Sequence, residues 1–362
     1  MSTFSFGGAE EGPPSRAPLA MKGEPPPMAH FDLPEPQLRA YRPEVTEPSG
    51  FDDFWRETLA MSRAAGSGIR RSPAPSPLDL VTVEDVVFPG FAGEPVHAWL
   101  ILPAGVRDPL PAVAEFVGYG RGRGLPHERL HWPAAGFAQL IVDTRGQGST
   151  WGTGGQTPDP HGAGPATAGF LTRGIEDPHE YYYRRVFTDA VRAVDALREI
   201  AEVDPERIAV TGNSQGGAIA IAAAGLSDGL IGALPSAPIL CDLPRVVGLT
   251  DADPHAELTR YLSVHRESAE RVFQTLSYFD GVAFARRATA PALFGAGLMD
   301  TIAPPSGVFA AANHWAAGAD VVAYPWNGHE GGEGAHWVRQ AEWLRERVGR
   351  RDRMPVGAEA AS

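Results

Sequence analysis

The sequence predicts an α/β fold with a central, mostly parallel and twisted β-sheet that carries helices on both faces. From residue 112 onward, short apolar runs alternate with segments of helical periodicity, which is typical of a parallel sheet covered on both sides. The second observation is that Ser214 lies in a glycine-rich turn, between the apolar run 208–211 and a segment of small residues. The apolar runs span residues 112–117, 138–142, 208–211, 292–296 and 321–324.

The chain divides into one large predicted domain and two tails. Residues 1–28 and 351–362 are rich in proline or small residues and are predicted to be disordered. Residues 29–350 are predicted to form a single domain. Within it, residues 242–287 interrupt the alternation and are interpreted as an insertion near the carboxyl edge of the sheet, where ligands bind in open α/β folds.

The predicted domain begins with a helix and a β-hairpin. Residues 51–63 carry apolar side chains at helical spacing. Two β-rich runs, 81–88 and 96–102, are joined by a turn-like Pro-Gly-Phe-Ala-Gly segment, which indicates an antiparallel extension in front of the parallel sheet. Further helices are predicted over residues 186–200, 217–224 and 337–348.

Composition and charge exclude several classes of protein. Of 362 residues, 43% are hydrophobic and 21% are charged, as in ordinary globular proteins. The net charge of −13 would repel nucleic acid phosphates. No apolar run approaches the ~20 residues that span a bilayer, and no secretory signal is recognisable. We expect a cytoplasmic protein with no nucleic acid or membrane partner, in which the single cysteine, Cys241, is a core thiol.

The sharpest local motif is Gly212-Asn213-Ser214-Gln215-Gly216. In a nucleophile elbow, a strained turn between a strand and a helix exposes the serine hydroxyl, and flanking glycines prevent clashes. Gly-x-Ser-x-Gly alone occurs by chance, but here a predicted strand precedes the motif and a predicted helix follows it. We therefore predict that Ser214 is a nucleophile; the alternative is a glycine-rich turn whose serine is incidental.

A serine nucleophile needs a histidine that accepts its proton and a carboxylate that orients the histidine. In folds with this elbow, the chain order is serine, acid, histidine. Asp300 and His329 follow late apolar runs in that order and are predicted to complete a triad; the alternatives are a turn aspartate and a surface histidine. The competing candidates are Asp280, Asp320 and His336. Asp320 is predicted to precede its strand and His336 to lie in the closing helix, so both are expected to point away from the site.

The tetrahedral intermediate of acyl transfer needs two hydrogen-bond donors for its oxyanion. The expected donors are the N–H of the residue after the nucleophile, Gln215, and one in the loop after the first parallel strand, Tyr119. Tyr119 lies among four glycines in residues 118–124, which allow close approach of the backbone to a ligand. A merely flexible turn is the alternative.

One motif indicates a different chemistry. His127-Glu128-Arg129-Leu130-His131 fits the zincin pattern, in which two histidines one helical turn apart bind zinc. However, Pro126 and Pro133 bracket the segment, and no third ligand follows at a convincing spacing. We predict a short helix there, with no metal and no cofactor in the protein.

These motifs together resemble those of carbohydrate esterase family 7, the cephalosporin C deacetylases and acetyl xylan esterases of the α/β-hydrolase superfamily. The Arg145-Gly146-Gln147 triplet, the Gly-x-Ser-Gln-Gly elbow and His329-Glu330 form the family signature. The resemblance covers residues 31 to 348. It is also carried by residues 116–124, 143–148 and 181–190.

The resemblance implies further roles and an assembly. It implies the triad Ser214, Asp300 and His329, with Tyr119 and Gln215 as oxyanion donors. Pro254 and Ile302 are expected beside Tyr119, where they would shape a small acyl pocket for acetate. Family members assemble as hexamers through the hairpin region, so a homohexamer is expected here as well.

The predicted function is therefore that of a serine carboxylesterase that forms an acetyl-enzyme on Ser214. The resemblance implies small acetylated substrates, such as acetylated xylo-oligosaccharides and cephalosporin C. The alternatives are a peptidase or lactone hydrolase of the same fold, and a non-catalytic binding protein that has kept the fold.

Overall fold

The computed structural model describes residues 31–161 and 167–349, so the two predicted disordered tails lie outside the described residues. Within this part of the chain, nine strands form one sheet. They are β1 (Arg70–Pro73), β2 (Val81–Pro89), β3 (Pro95–Pro103), β4 (Leu110–Phe116), β5 (Ala138–Val142), β6 (Val203–Asn213), β7 (Leu230–Ser236), β8 (Ala292–Gly297) and β9 (Ala319–Tyr324).

The sheet is antiparallel at one end and parallel over the rest. Its strand order is β1-β2-β3-β5-β4-β6-β7-β8-β9. Strands β1, β2 and β3 pair antiparallel, β3 pairs antiparallel with β5, and all pairs from β5 to β9 are parallel. The register places Ala114 of β4 opposite Val210 of β6. The predicted fold class, with its antiparallel extension, is confirmed.

Helices of very different length precede, connect and follow these strands. They are α1 (Glu35–Ala40), α2 (Phe51–Ala65), α3 (His131–Ala134), α4 (Tyr182–Arg198), α5 (Gln215–Leu226), α6 (Leu243–Val246), α7 (Ala256–Val264), α8 (Ala269–Leu276), α9 (Gly281–Ala285), α10 (Pro305–Asn313) and α11 (Glu333–Val348). Short 3-10 helices span Phe91–Gly93, Pro126–Glu128, Phe170–Thr172 and Arg266–Ser268. No helix in these described ranges is both long and apolar enough to cross a bilayer.

The two faces of the sheet bury different helices because successive side chains of a strand point to opposite sides. Ala112 and Ala114 of β4 belong to the large core beneath α4 and α5, whereas Val113 packs in a smaller cluster with Leu344 of α11 and Trp132 of α3. Helix α5 is apolar all round and lies against β6 and β7, where its small residues allow close packing.

The largest departures from the predicted elements occur where the apolar pattern is interrupted. Strand β7 was missing from the prediction because Gly232 and Pro235 break its apolar run. Helices α4 and α11 begin four residues earlier than predicted, at Tyr182 and Glu333. The placement of Asp320 before its strand is wrong, since β9 begins at Ala319.

Residues 242–287, interpreted from the sequence as an insertion, contain α6, α7, α8 and α9 between β7 and β8. Helix α7 reaches back to the first half of the chain, where its Glu257 contacts the segment of residues 169–171. Glu257 also accepts a hydrogen bond from the Tyr119 hydroxyl, so α7 lies beside the loop that follows β4, at the carboxyl edge of the parallel strands.

Candidate active site

Ser214 occupies a strained turn between β6 and α5. Its backbone has φ 61° and ψ −120°, a region that non-glycine residues rarely adopt. The turn needs its flanking glycines: a Cβ on Gly212 would lie 2.3 Å from the carbonyl of Gly216, and one on Gly216 would lie 2.2 Å from the carbonyl oxygen of Phe116. The Ser214 N–H donates to the carbonyl of Ser236 at 2.9 Å. This geometry fits the predicted elbow.

His329 and Asp300 are in direct contact at the same edge of the sheet. The Nδ1 atom of His329 lies 2.9 Å from Oδ2 of Asp300, which follows β8 and is 1% exposed. The other carboxylate oxygen accepts the N–H groups of Ile302 at 2.8 Å and Ala303 at 2.9 Å. The buried carboxylate is thus held in place and fixes the orientation of the imidazole.

Ser214 and His329 are not joined by a hydrogen bond within the described residues. Ser214 is 7% exposed and lies at the same sheet edge, since β6 and β8 both flank β7. In enzymes without bound substrate, the bond between nucleophile and base is often long and tightens when substrate binds.

Tyr119 and Gln215 each present a backbone N–H that has no hydrogen-bond partner in the described parts of the chain. Gln215 is the first residue of α5, where backbone N–H groups lack partners within the helix. The carbonyl oxygen of Tyr119 accepts the indole N–H of Trp151 at 2.6 Å, which fixes the orientation of this loop. Both predicted donors are therefore available to an oxyanion.

A pair of glutamine side chains connects the two oxyanion loops. Gln147 Nε2 donates to Gln215 Oε1 at 2.8 Å, and Gln215 Nε2 donates back to Gln147 Oε1 at 3.1 Å. The same Gln147 oxygen accepts the N–H of Gly120 at 2.7 Å. The third residue of the Arg-Gly-Gln triplet thus contacts one expected oxyanion donor, Gln215, and the residue after the other, Gly120.

Sequence analysis missed Glu257, whose carboxylate is 6% exposed and accepts a hydrogen bond from the Tyr119 hydroxyl. It also accepts the N–H of Gly169 at 2.8 Å and the N–H of Leu171 at 3.0 Å. Burial and the neighbouring Glu257 carboxylate raise the pKa of Tyr119 well above its usual range. A buried acid in a helix has no sequence motif, so nothing in the sequence identified it.

The two residues expected to shape the acyl pocket belong to segments that meet at His255. His255 follows Pro254 directly, and its Nδ1 lies 2.9 Å from the carbonyl oxygen of Ile302. Complete burial lowers the pKa of His255 to about 4, so its ring is neutral at pH 7. Helix α7, which begins after His255, brings Glu257 to Tyr119. The segments that contain Pro254, Ile302 and Tyr119 are therefore connected by hydrogen bonds.

The zincin-like segment does not form the helix that the motif requires. His127 lies in the 3-10 helix Pro126–Glu128, whereas His131 begins α3, and Arg129 between them has an extended φ of −141°. The ring of His131 packs against Trp337 with 5.1 Å between centroids. In the described ranges, no group of three or more His, Cys, Asp or Glu side chains has the geometry of a metal site.

The chain matches one protein family over most of its length. The family model for acetyl xylan esterase (AXE1) matches residues 28–347. A curated relative, the acetyl esterase Axe7A of Xylanibacter ruminicola, is 31% identical over 182 residues, which are 50% of this chain. The matched region spans 40% of the length of that relative.

Two solved structures are similar over nearly their whole length. The acetyl xylan esterase from Paenibacillus sp. R4 has a TM-score of 0.81 and 38% identity, over 86% of this chain and 99% of the other. Acetyl xylan esterase 1 from Thermoanaerobacterium sp. JW/SL YS485 has a TM-score of 0.80 and 31% identity, over 88% of this chain and 100% of the other.

Proposed function

The chain belongs to the acetyl xylan esterase family, and on that premise we propose that it is a serine carboxylesterase that removes acetyl groups from small acetylated substrates. The observation that supports this most is the hydrogen bond of 2.9 Å between His329 and the buried Asp300, in the chain order that follows a strained Ser214. Catalysis in this proposal uses side chains and backbone amides alone.

In the proposed mechanism, His329 accepts the Ser214 proton while the serine oxygen attacks the acetyl carbonyl. Asp300 holds the imidazole in the tautomer that places a proton acceptor toward the serine, and it stabilises the imidazolium that forms. The protonated His329 then delivers the proton to the departing alcohol, which leaves an acetyl ester on Ser214.

Deacetylation repeats these steps with water as the nucleophile. His329 accepts a proton from water, the hydroxide attacks the acetyl-enzyme, and collapse of the intermediate releases acetate and returns the proton to Ser214. In both steps the N–H groups of Tyr119 and Gln215 stabilise the negative oxygen. This role follows from their lack of other partners and from the Gln147 contacts that position them.

Pro254 and Ile302 are proposed to restrict the acyl pocket to acetate. Their segments are joined through His255, and Tyr119 is held nearby by Glu257. A small acyl pocket specifies the acid and leaves the alcohol open, so acetylated xylo-oligosaccharides and cephalosporin C are both proposed substrates.

Assembly and location are part of the proposal. We infer a homohexamer that uses the β2–β3 hairpin as an interface, from the resemblance to carbohydrate esterase family 7. The single buried Cys241 fits a reducing, cytoplasmic environment. Size-exclusion chromatography with light scattering tests the hexamer, and a monomer would contradict it.

The catalytic proposal is tested by hydrolysis of p-nitrophenyl acetate, butyrate and octanoate, with and without a metal chelator. We expect acetate to be cleaved fastest, Ser214→Ala to abolish the activity and the chelator to change nothing. A peptidase or lactone hydrolase would ignore acetate esters, and a binding protein would cleave none of them. Activity that survives Ser214→Ala would show that the nucleophile is misassigned.

A further inference from the structure

Glu257, in the first turn of α7, accepts three hydrogen bonds in a buried position, and one of them comes from the Tyr119 hydroxyl. Its Oε1 atom accepts that hydroxyl and the N–H of Gly169 at 2.8 Å, and its Oε2 atom accepts the N–H of Leu171 at 3.0 Å. An ionised carboxylate accepts through both oxygens, whereas an amide has a donor in place of one of them. The surroundings of Glu257 are therefore matched to an ionised acid.

The Tyr119 hydroxyl is also held from a second side. It accepts the N–H of Gly169 at 3.0 Å and the N–H of Phe170 at 2.8 Å. The ring packs edge-on against that of Phe170, with 5.4 Å between centroids. A hydroxyl has one donor and two acceptor positions, and all three are used here. The far end of the Tyr119 side chain is therefore fixed.

The proposed oxyanion donor of this loop belongs to a peptide group that the other tethers of the loop do not hold. Trp151 binds the carbonyl of Tyr119 and Gln147 binds the N–H of Gly120, and these two atoms lie in the same planar peptide group. The N–H of Tyr119 lies in the preceding peptide group, which Gly118 begins. Because glycine has no Cβ, its backbone angles are only weakly restricted. The orientation of the Tyr119 N–H thus depends on how its own side chain is held.

The start of α7 is in turn bonded to the loop of the proposed triad acid. His255 directly precedes this helix, and its Nδ1 lies 2.9 Å from the carbonyl oxygen of Ile302. A carbonyl oxygen only accepts, so Nδ1 carries the proton. The N–H of Ile302 donates to Oδ1 of Asp300 at 2.8 Å. Glu257 therefore connects Tyr119 to a helix whose position is tied to Asp300.

From these contacts we propose that Glu257 is a positioning residue for the esterase reaction, whose carboxylate holds the Tyr119 side chain so that the Tyr119 N–H points at the oxyanion. The inference rests on the proposed function and adds a residue to it. Glu257 touches neither substrate nor reacting atoms in this role and acts only through Tyr119. Its removal should weaken stabilisation of the transition state and leave binding of the ester itself nearly unchanged.

The test measures hydrolysis of p-nitrophenyl acetate by variants of the full chain. Glu257→Ala removes all three hydrogen bonds and should lower kcat about tenfold, less than the loss of an oxyanion donor, with KM within about twofold. Glu257→Gln keeps one oxygen for the Tyr119 hydroxyl and should recover most of this loss. Tyr119→Phe keeps the backbone N–H and should lose as much as Glu257→Ala. The double variant should lose little more than either, because both act on one contact.

Glu176→Ala is the matched control, because Glu176 holds the other end of the same helix. Its Oε1 atom accepts the hydroxyl of Tyr261, on α7, at 2.9 Å and that of Ser268, just before α8, at 2.7 Å. The two alanine variants should both lower the midpoint of thermal unfolding. Assayed well below those midpoints, Glu176→Ala should keep kcat within about twofold of wild type, because it leaves Tyr119 in place.

A second readout is inhibition by trifluoroacetone, a ketone that resembles the tetrahedral intermediate once it has reacted. The Ser214 oxygen adds to its carbonyl carbon, the serine proton passes to His329, and the former carbonyl oxygen becomes an oxyanion with no group to expel. The inhibition constant should rise in Glu257→Ala by about the factor by which kcat/KM falls, because both depend on the oxyanion donors. Glu176→Ala should leave the inhibition constant unchanged.

Other results would overturn the inference. An effect confined to KM, an unchanged inhibition constant in Glu257→Ala, or losses that multiply in the double variant would each rule out positioning through Tyr119. Equal losses of kcat in Glu257→Ala and Glu176→Ala would show that Glu257 only stabilises α7. Failure of the proposed function would look different, because wild-type protein would then neither hydrolyse p-nitrophenyl acetate nor be inhibited by trifluoroacetone.

Discussion

Gln147 and Gln215 exchange two hydrogen bonds through their side-chain amides, at 2.8 Å and 3.1 Å. One residue lies in the loop after β5 and the other begins the helix after the candidate nucleophile. Gln147 also accepts the N–H of Gly120, so this amide pair sets the distance between the two proposed oxyanion donors. We propose that this amide pair contributes to catalysis by positioning the backbone N–H groups of Tyr119 and Gln215.

The first prediction concerns this amide pair. Gln147→Leu removes four hydrogen bonds, two with Gln215 and one each with Gly120 and Tyr182. It should lower kcat for p-nitrophenyl acetate about tenfold with little change in KM, because the oxyanion donors lose their alignment. Gln215→Leu should have a similar effect. The double variant should lose little more than either single variant, because both act on one interaction. Losses that multiply instead, or a change confined to KM, would contradict the positioning role.

The second prediction concerns Asp300, the proposed acid of the triad. Asp300→Asn should lower kcat about 10⁴-fold, since the wrong imidazole tautomer then faces the serine. Asp280→Asn is the matched control, because Asp280 is also buried and accepts backbone N–H groups from Asp242, Leu243 and Val282. It should reduce stability and leave kcat within about twofold. Equal losses of kcat in the two variants would argue against Asp300 as the acid.

The third prediction concerns acyl specificity. Ile302→Ala should raise the ratio of butyrate to acetate hydrolysis about tenfold, because removing three side-chain carbons enlarges the proposed pocket. Ile302→Val removes less volume and should shift the ratio by less. An unchanged ratio in both variants, measured with p-nitrophenyl esters, would place the acyl pocket elsewhere.

The fourth prediction concerns stability at acid pH. Burial lowers the pKa of His255 to about 4, whereas an unfolded histidine titrates near 6.5. The unfolded state therefore binds more protons between these values, so stability is fully present above pH 6.5 and is lost as the pH falls toward 4. Urea unfolding of wild type at pH 7 and pH 4 should show a loss from this group of about 3 kcal/mol.

His255→Gln should remove that part of the pH dependence. The exposed His127→Gln variant is its control and should follow the wild-type curve. If His255→Gln follows the wild-type curve as well, acid destabilisation arises from other groups.

The parts that could be predicted from the sequence have strong local patterns. The parallel strands other than β7 appear as apolar runs, and the strained turn at Ser214 has a steric requirement for glycine that produces a sequence motif. Asp300 and His329 could be proposed as a pair because the fold fixes the order in which loops reach the carboxyl edge of the sheet, and the structure places the two side chains in contact.

The remaining features depend on contacts between distant residues. Glu257 is 138 residues from Tyr119, whose hydroxyl donates a hydrogen bond to it. No motif or periodicity in the sequence predicts a contact between these two residues. The role of Gln147 depends on its partner Gln215, although its triplet was recognised as part of the signature. A cavity of about 590 Å³ beside Trp337 is lined by residues of β4, β6, β7, α3 and α11, which are distant in the sequence, so it could not be predicted from the sequence.

The most direct test of the account is to identify the acetylated residue. Wild-type protein mixed with p-nitrophenyl acetate, quenched in acid within the first turnover and digested, should yield one acetylated peptide, modified at Ser214. The same experiment with Ser214→Ala should yield none, and His329→Ala should form the adduct far more slowly. Acetylation at another residue, or turnover without any acetylated peptide, would contradict the proposed mechanism.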